Sequence, residues 1–253
     1  MMEEKAMTIV EHLEELRKVV VVSIITVLTS TMVIFFFFRD ALFMVAIKPL
    51  AEYGIPVVFI GPTEALFSKL KISIVAGLFV SLPVVLWRIW SFVVPALHSN
   101  ERRYVYLLVP ASLLLFLLGV SFGYFTVLQI ATKYLLVVAG EGLEPMITVS
   151  KYVSFLISFL LPFGLIFELP LIVFFLTRIG LVNHTFLARN RRYAILITFI
   201  LAAVLTPPDV VSQILLAVPM VLLYEISILI SRVAKPKPKF EESAAIETSA
   251  KEY

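Results

Sequence analysis

Glu168 stands inside an apolar run, Leu160-Leu161-Pro162-Phe163-Gly164-Leu165-Ile166-Phe167-Glu168-Leu169-Pro170. A charge at the centre of a bilayer costs about 2.5–3.5 kcal/mol on insertion scales, and more where it faces lipid. Lys151 and Arg178 flank the stretch too far along a helix to pair with it, so Glu168 must face other helices, water or a partner, or carry a proton. A carboxylate in such a place is by default a functional site. A second set of acids lies near the N-terminus, in Val10-Glu11-His12-Leu13-Glu14-Glu15-Leu16-Arg17. Val10, Leu13, Leu16 and Val20 make one helical face there, with the carboxylates beside it. The plain reading is an interfacial helix with solvated acids, including a Glu14–Lys18 pair worth a few tenths of a kcal/mol. The sharper reading is that acids held at a membrane surface suit a cationic ligand. Glu101, in Pro95-Ala96-Leu97-His98-Ser99-Asn100-Glu101-Arg102-Arg103, adds a further acid, or is a helix-start carboxylate beside its own arginines.

Other chemistries find no support. There is no cysteine, which excludes disulfides and thiolate catalysis. No Gly-rich phosphate loop is present, which argues against direct use of ATP. His12, His98 and His184 fall in three separate segments without ligand spacing, so they read as solvated and no metal site is expected. We expect no enzyme, no cofactor and no nucleic-acid partner.

The elements that carry these acids are membrane spans. Hydrophobic residues make up 60% of the 253 and charged residues only 15%, more apolar material than a soluble domain needs. The expected fold is an all-α integral membrane protein of six transmembrane helices, at about 19–38, 72–94, 104–130, 152–177, 193–205 and 210–231. Residues 1–232 form one membrane domain, and 233–253 read as a disordered cytoplasmic tail with alternating Lys and Pro. The last two spans are expected to form a short hairpin around Thr206-Pro207-Pro208-Asp209. Thirteen residues reach only about 20 Å as a helix. With the N-terminus in the cytoplasm, fifteen of the 21 Lys and Arg residues fall inside and six outside, and both termini are cytoplasmic. Outside, residues 40–50 read as a short helix stopped by Pro49, and Gly61-Pro62-Thr63-Glu64 as a helix start. These pieces either cap the outer mouth of the bundle or rest on the lipid surface.

The pattern resembles the TatC family, the multi-spanning component of the twin-arginine protein translocase, over about residues 8–232. His12-Leu13-Glu14-Glu15-Leu16-Arg17 matches the family's HLxELR signature, and Pro62-Thr63-Glu64 with Leu66-Phe67 its PTE element. Phe92, Pro95-Ala96-Leu97 and Glu101-Arg102 fit its second loop. Gly164, Phe167-Glu168 and Pro170 fit its fourth span; Thr206-Pro207-Pro208-Asp209, Gln213, Pro219 and Tyr224-Glu225 fit its last hairpin. Gly61, Ala65 and His98-Ser99-Asn100 depart from the pattern.

The resemblance implies a concave, glove-like bundle with an extracytoplasmic cap, in the cytoplasmic (inner) membrane. It implies that Glu15 and Glu101 bind the arginine pair of signal peptides, with Leu16 and Phe92 receiving flanking apolar residues and Arg17 orienting one acid. Guanidinium forks pair bidentately with carboxylates in a way that lysine cannot reproduce. Glu14 is rotated by about 100° from Glu15, so only one of the two faces the pocket. Glu168 would lie on the hollow face and draw water into the membrane. Thr206 and Gln213 would contact single-span partners of the TatA and TatB type, and the complex would self-associate and use the proton-motive force. For Gln213 an internal helix–helix hydrogen bond is an equal reading. The alternative function is a secondary transporter of a small solute with Glu168 as the coupling acid. It is disfavoured because the chain shows no internal repeat.

Overall fold

The computed structural model describes residues 9–93, 105–138, 145–206 and 209–234. The chain opens with α1 (Ile9–Phe37), turns at Phe38 into α2 (Arg39–Ala51), and crosses a loop to α3 (Glu64–Val93). Then α4 (Val105–Phe122) runs through a π-helical turn (Gly123–Val127) into α5 (Leu128–Lys133) and a second π turn (Tyr134–Val138). The fourth apolar stretch is two helices, α6 (Val149–Ile166) and α7 (Leu169–Arg178), followed by α8 (His184–Arg189), α9 (Arg191–Leu205) and α10 (Val210–Val233). Two short strands, β1 (Val57–Val58) and β2 (Ile147–Thr148), pair in parallel at the α2 end, a feature of the otherwise helical chain that the sequence pattern did not suggest. Among the described residues, five helical stretches are long and apolar enough to cross a membrane: Val10–Phe37, Glu64–Phe92, Leu107–Leu136, Val149–Arg178 and Val210–Val233.

The helices pack in a row rather than a ring. α1 lies on α3, α3 on α4 and α6, α4 on α6, α7 on α10, and α10 on α9. The densest packing is around α6, where Val153, Phe159 and Phe163 are fully buried with Leu128 and Ala131 of α5. Two glycines let α4 and α6 approach closely: a Cβ at Gly119 would meet the Phe163 carbonyl, and one at Gly164 would meet the Phe116 ring.

Several expectations need correction. The helix start read at Gly61-Pro62-Thr63-Glu64 and the span expected from 72 are one continuous helix, and the helical segment with the N-terminal acids is likewise continuous with the first span in α1. Of the two final helices expected to be short, α9 is short at 15 residues, about 22 Å, whereas α10 has 24. Pro49 does not stop α2, which continues to Ala51. A proline has no N–H for the carbonyl four residues back. That carbonyl, of Val45, instead accepts the Tyr124 hydroxyl at 2.6 Å.

The apolar face of α1 (Val10, Leu13, Leu16, Val20) is exposed. The side turned toward the bundle mixes His12, Glu15, Ser23, Thr26, Ser30 and Thr31 with Val19, Val22, Val27 and Ile34, all half-buried or buried. Lipid is as apolar as leucine, so membrane helices turn small and polar residues toward each other and leucines outward.

Candidate functional site

The N-terminal end of the bundle brings α1 and the C-terminal end of α3 together. His12 stacks on Phe92, ring centroids 4.4 Å apart and planes inclined by 15°. The histidine expected to be solvated is therefore a half-buried plate against the helix that carries Phe92. One turn further along α1, Glu15 is half-buried, with Oε2 enclosed and without a hydrogen-bond partner among the described residues. Glu14 is exposed about 100° around the helix from Glu15, and Glu11, one turn before Glu15 on the same side, is exposed as well. Leu16 and Arg17 are also exposed, and Arg17 makes no ion pair with a described residue. Of the expected peptide-binding residues, the structure thus draws Glu15 and Phe92 to one seam, leaves Leu16 and Arg17 on its open side, and does not pair Arg17 with an acid. Glu101 lies outside the described residues.

Glu168 sits at the break between α6 and α7. The two-residue turn arises where Pro170 enters the first turn of α7, since proline fits there without losing a hydrogen bond. The Glu168 backbone carbonyl accepts from Leu171 and Ile172, but its side chain does not cap the helix. The carboxyl is buried, and Oε1 has no hydrogen-bond partner among the described residues. Ser112 of α4 lies beside the carboxyl. Ser112 is itself fully buried and accepts the Trp90 indole N–H at 3.1 Å. Trp90 meets Phe175 of α7 edge-on, with centroids 5.0 Å apart. Sequence reasoning missed this Trp90–Ser112 support. The signal was present: a serine within the apolar run of α4 and one of only two tryptophans.

At the α9–α10 turn, Thr206 is buried and donates to the Ala202 carbonyl at 2.8 Å. Gln213 Nε2 donates to the Phe199 carbonyl at 3.1 Å, so the helix–helix bond is formed. Asp209 caps α10 by accepting from the Ser212 N–H at 2.7 Å. At the opposite end of this hairpin Arg191 pairs with Glu225 at 2.9 Å.

The α2 end is built differently. Glu64 Oε2 accepts the Ile60 N–H at 2.8 Å, and Oε1 accepts the Ser150 N–H in the first turn of α6 at 2.9 Å. The sequence marks Glu64 only as a helix-start acid; in the fold it ties the loop before α3 to α6. Asp40 of α2 is bonded to the Lys69 ammonium and lies near Arg39. The Lys69 hydrogen bond holds the exposed Asp40 carboxyl below its ordinary value. No cluster of metal-ligating side chains occurs among the described residues.

Comparison with known proteins agrees with the motifs. The family model described as Sec-independent protein translocase protein (TatC) matches residues 11–219. The chain is 46% identical over 237 residues to the Sec-independent protein translocase protein TatC of Carboxydothermus hydrogenoformans, covering 93% of this chain and 97% of that one. It is 41% identical over 250 residues to the protein of the same name from Desulforapulum autotrophicum, covering 98% and 92%. A crystal structure of the twin-arginine translocase receptor TatC superposes with a TM-score of 0.82 at 37% identity, covering 88% of this chain and 99% of that one. These relatives give no support to the small-solute transporter reading. With five apolar helices of spanning length, the chain is a multi-pass membrane protein, and it belongs to the TatC family of Sec-independent protein translocase components.

Proposed function

We propose that this chain is the receptor and scaffold of a twin-arginine translocase, binding arginine-pair signal peptides at the end of the bundle formed by α1 and α3. The observation that carries the proposal is Glu15: a half-buried carboxylate with an enclosed oxygen that has no partner among the described residues, beside the His12–Phe92 stack. Buried polar atoms are normally paired. An unpaired carboxylate oxygen in a seam is suited to an incoming guanidinium, whose planar fork meets both carboxylate oxygens. Glu101 supplies the second acid, Leu16 and Phe92 receive flanking apolar residues, and Arg17 orients one of the two acids.

In this reading α9 is a sixth, short crossing, both termini are cytoplasmic, and the membrane is the cytoplasmic one. The row of helices from α1 to α9 curves into a concave bundle with α2 and the strand pair as its outer cap. Residues 1–232 are one domain. Glu168 faces the hollow and draws water into the apolar layer. TatA- and TatB-type single-span proteins dock near Thr206 and Gln213, whose amide nitrogen is already engaged and whose oxygen remains to accept. Transport of folded cargo draws on the proton-motive force, several copies associate, and the chain itself performs no covalent chemistry and holds no cofactor.

A titration of a labelled arginine-pair signal peptide against the purified protein in nanodiscs tests the central claim. Wild type binds the arginine-pair peptide more tightly than its lysine-pair version, and Glu15→Ala removes the difference. Equal binding of both peptides by the wild-type protein would sink the proposal.

A further inference from the structure

A cavity of about 280 Å³ lies beneath α2, walled by Val45 and Ala46, by Val75 and Phe79 of α3, by Tyr124 of the π turn and by Ile157 of α6. Its wall is almost wholly apolar, so it offers water none of the two to four polar partners that a buried water needs. Hydrocarbon is what fits it.

The rim on the α2 side is polar. Lys71 precedes Val75 by four residues and Ser154 precedes Ile157 by three, so each polar residue shares a helix face with a cavity residue one turn deeper. Lys71 Nζ donates to Ser154 Oγ at 3.2 Å, bridging α3 to α6, and both residues are exposed. The nearby Lys69 is neutralised by Asp40, whereas Lys71 has no carboxylate partner among the described residues. From the α2 end inward the order is cation and hydroxyl, then apolar slot. That is the order of the parts of an anionic phospholipid: phosphate, then acyl chain. An apolar helix of another protein would fill the slot but bring no charge for Lys71.

We propose that this site holds one anionic phospholipid of the leaflet on the α2 side, with its phosphate on Lys71 and Ser154 and one acyl chain beneath α2. The proposal does not depend on the peptide site or on which end of the bundle faces the cytoplasm. The lipid would fill the gap between α2 and the spans, and so seat the cap that Tyr124 and Lys69 already tether.

The test uses the full chain in nanodiscs doped with phosphatidylglycerol carrying a diazirine on its acyl chain, compared with the matching phosphatidylcholine probe. Photolabelled peptides should map to residues 72–79 and 156–160. Phosphatidylglycerol should label them about fivefold more than phosphatidylcholine, the factor expected for one cation at the membrane surface. K71Q should abolish that preference and K71R keep it. Ala76→Leu and, separately, Ala46→Leu fill the slot from two sides and should lower labelling there with both probes; each variant's thermal unfolding checks that it is folded. Equal labelling by the two probes in the wild type, a preference that survives K71Q, or labels spread evenly over the lipid-facing surface would overturn the proposal. An unlabelled cavity in a chain labelled elsewhere would overturn it as well, leaving a protein helix as the filler.

Discussion

Two ends of one molecule treat their carboxylates in opposite ways. At the α2 end Glu64 spends both oxygens on backbone N–H groups of Ile60 and Ser150, and Asp40 is paired with Lys69. At the opposite end and in mid-span, Glu15 and Glu168 each keep an enclosed oxygen without a partner among the described residues. The first pair is architecture, since their bonds join segments far apart in sequence. The second pair carries a standing desolvation cost at those oxygens that the described residues do not offset. An acid that improves nothing in the resting structure is one whose counterpart arrives from elsewhere.

The largest effect expected from this contrast is at Glu15. Glu15→Ala should weaken binding of an arginine-pair peptide by about 2–5 kcal/mol, the range for one partner of a desolvated charge pair. Its thermal unfolding should stay at or above that of wild type. Glu101→Ala should behave alike, and peptide titration beside a melting curve measures both. A loss under about 1 kcal/mol for both variants would place these acids at an exposed rim, where pairs are weak.

Glu168 gives the next effect. Glu168→Leu should abolish transport in a vesicle assay while leaving the bundle as stable or more so, because replacing a buried charge by an apolar group is often neutral or stabilising by about 1–4 kcal/mol. A clearly destabilised Leu variant whose folded fraction still transports would move Glu168 into the architectural class with Glu64. Gln213→Ala should cost about 0.6–1.7 kcal/mol in unfolding, the range for one helix–helix hydrogen bond in a membrane. A partner-contact role would appear separately, as weaker capture of a single-span partner by Gln213→Ala.

The α2 end predicts the reverse pattern. Glu64→Gln should lower the melting temperature and leave peptide affinity unchanged; a fall in affinity would erase the distinction between the two ends. The smallest effect belongs to Asp40. Its carboxyl is held below the ordinary 3.8, so its contribution is full above that pH and disappears as pH falls through the lower folded value. Melting curves of wild type and Asp40→Asn should therefore converge in strong acid and separate slightly above pH 4.

The apolar helices and the family were legible because each leaves a local mark: an uncharged run, a short motif. What escaped reading depends on distance or on solvent. Glu64 meets Ser150 across 86 residues and Tyr124 meets the Val45 carbonyl across 79, and nothing local encodes either contact. The β1–β2 pair is too short for periodicity to reveal. The inward face of α1 was hidden for a different reason. In water the apolar stripe marks the interior, but in lipid it marks the outside, so Val10, Leu13 and Leu16 pointed away from the seam that His12 and Glu15 line. Glu101 lies outside the described residues, and its part in the site rests on its motif.

The seam between α1 and α3 also has a mechanical side. Gly77 admits the backbone of Thr31 so closely that any Cβ there would collide with it. Taken as a fixed point, that notch sets the length of a lever. Glu15 lies sixteen residues along α1 from Thr31, an arm of about 24 Å. A swing of about 5° around that point would carry the acid about 2 Å, close to the difference between a formed and a broken hydrogen bond. Gly77→Ala would thus detune a binding site at the far end of the lever, and peptide affinity becomes a gauge of packing deep in the membrane.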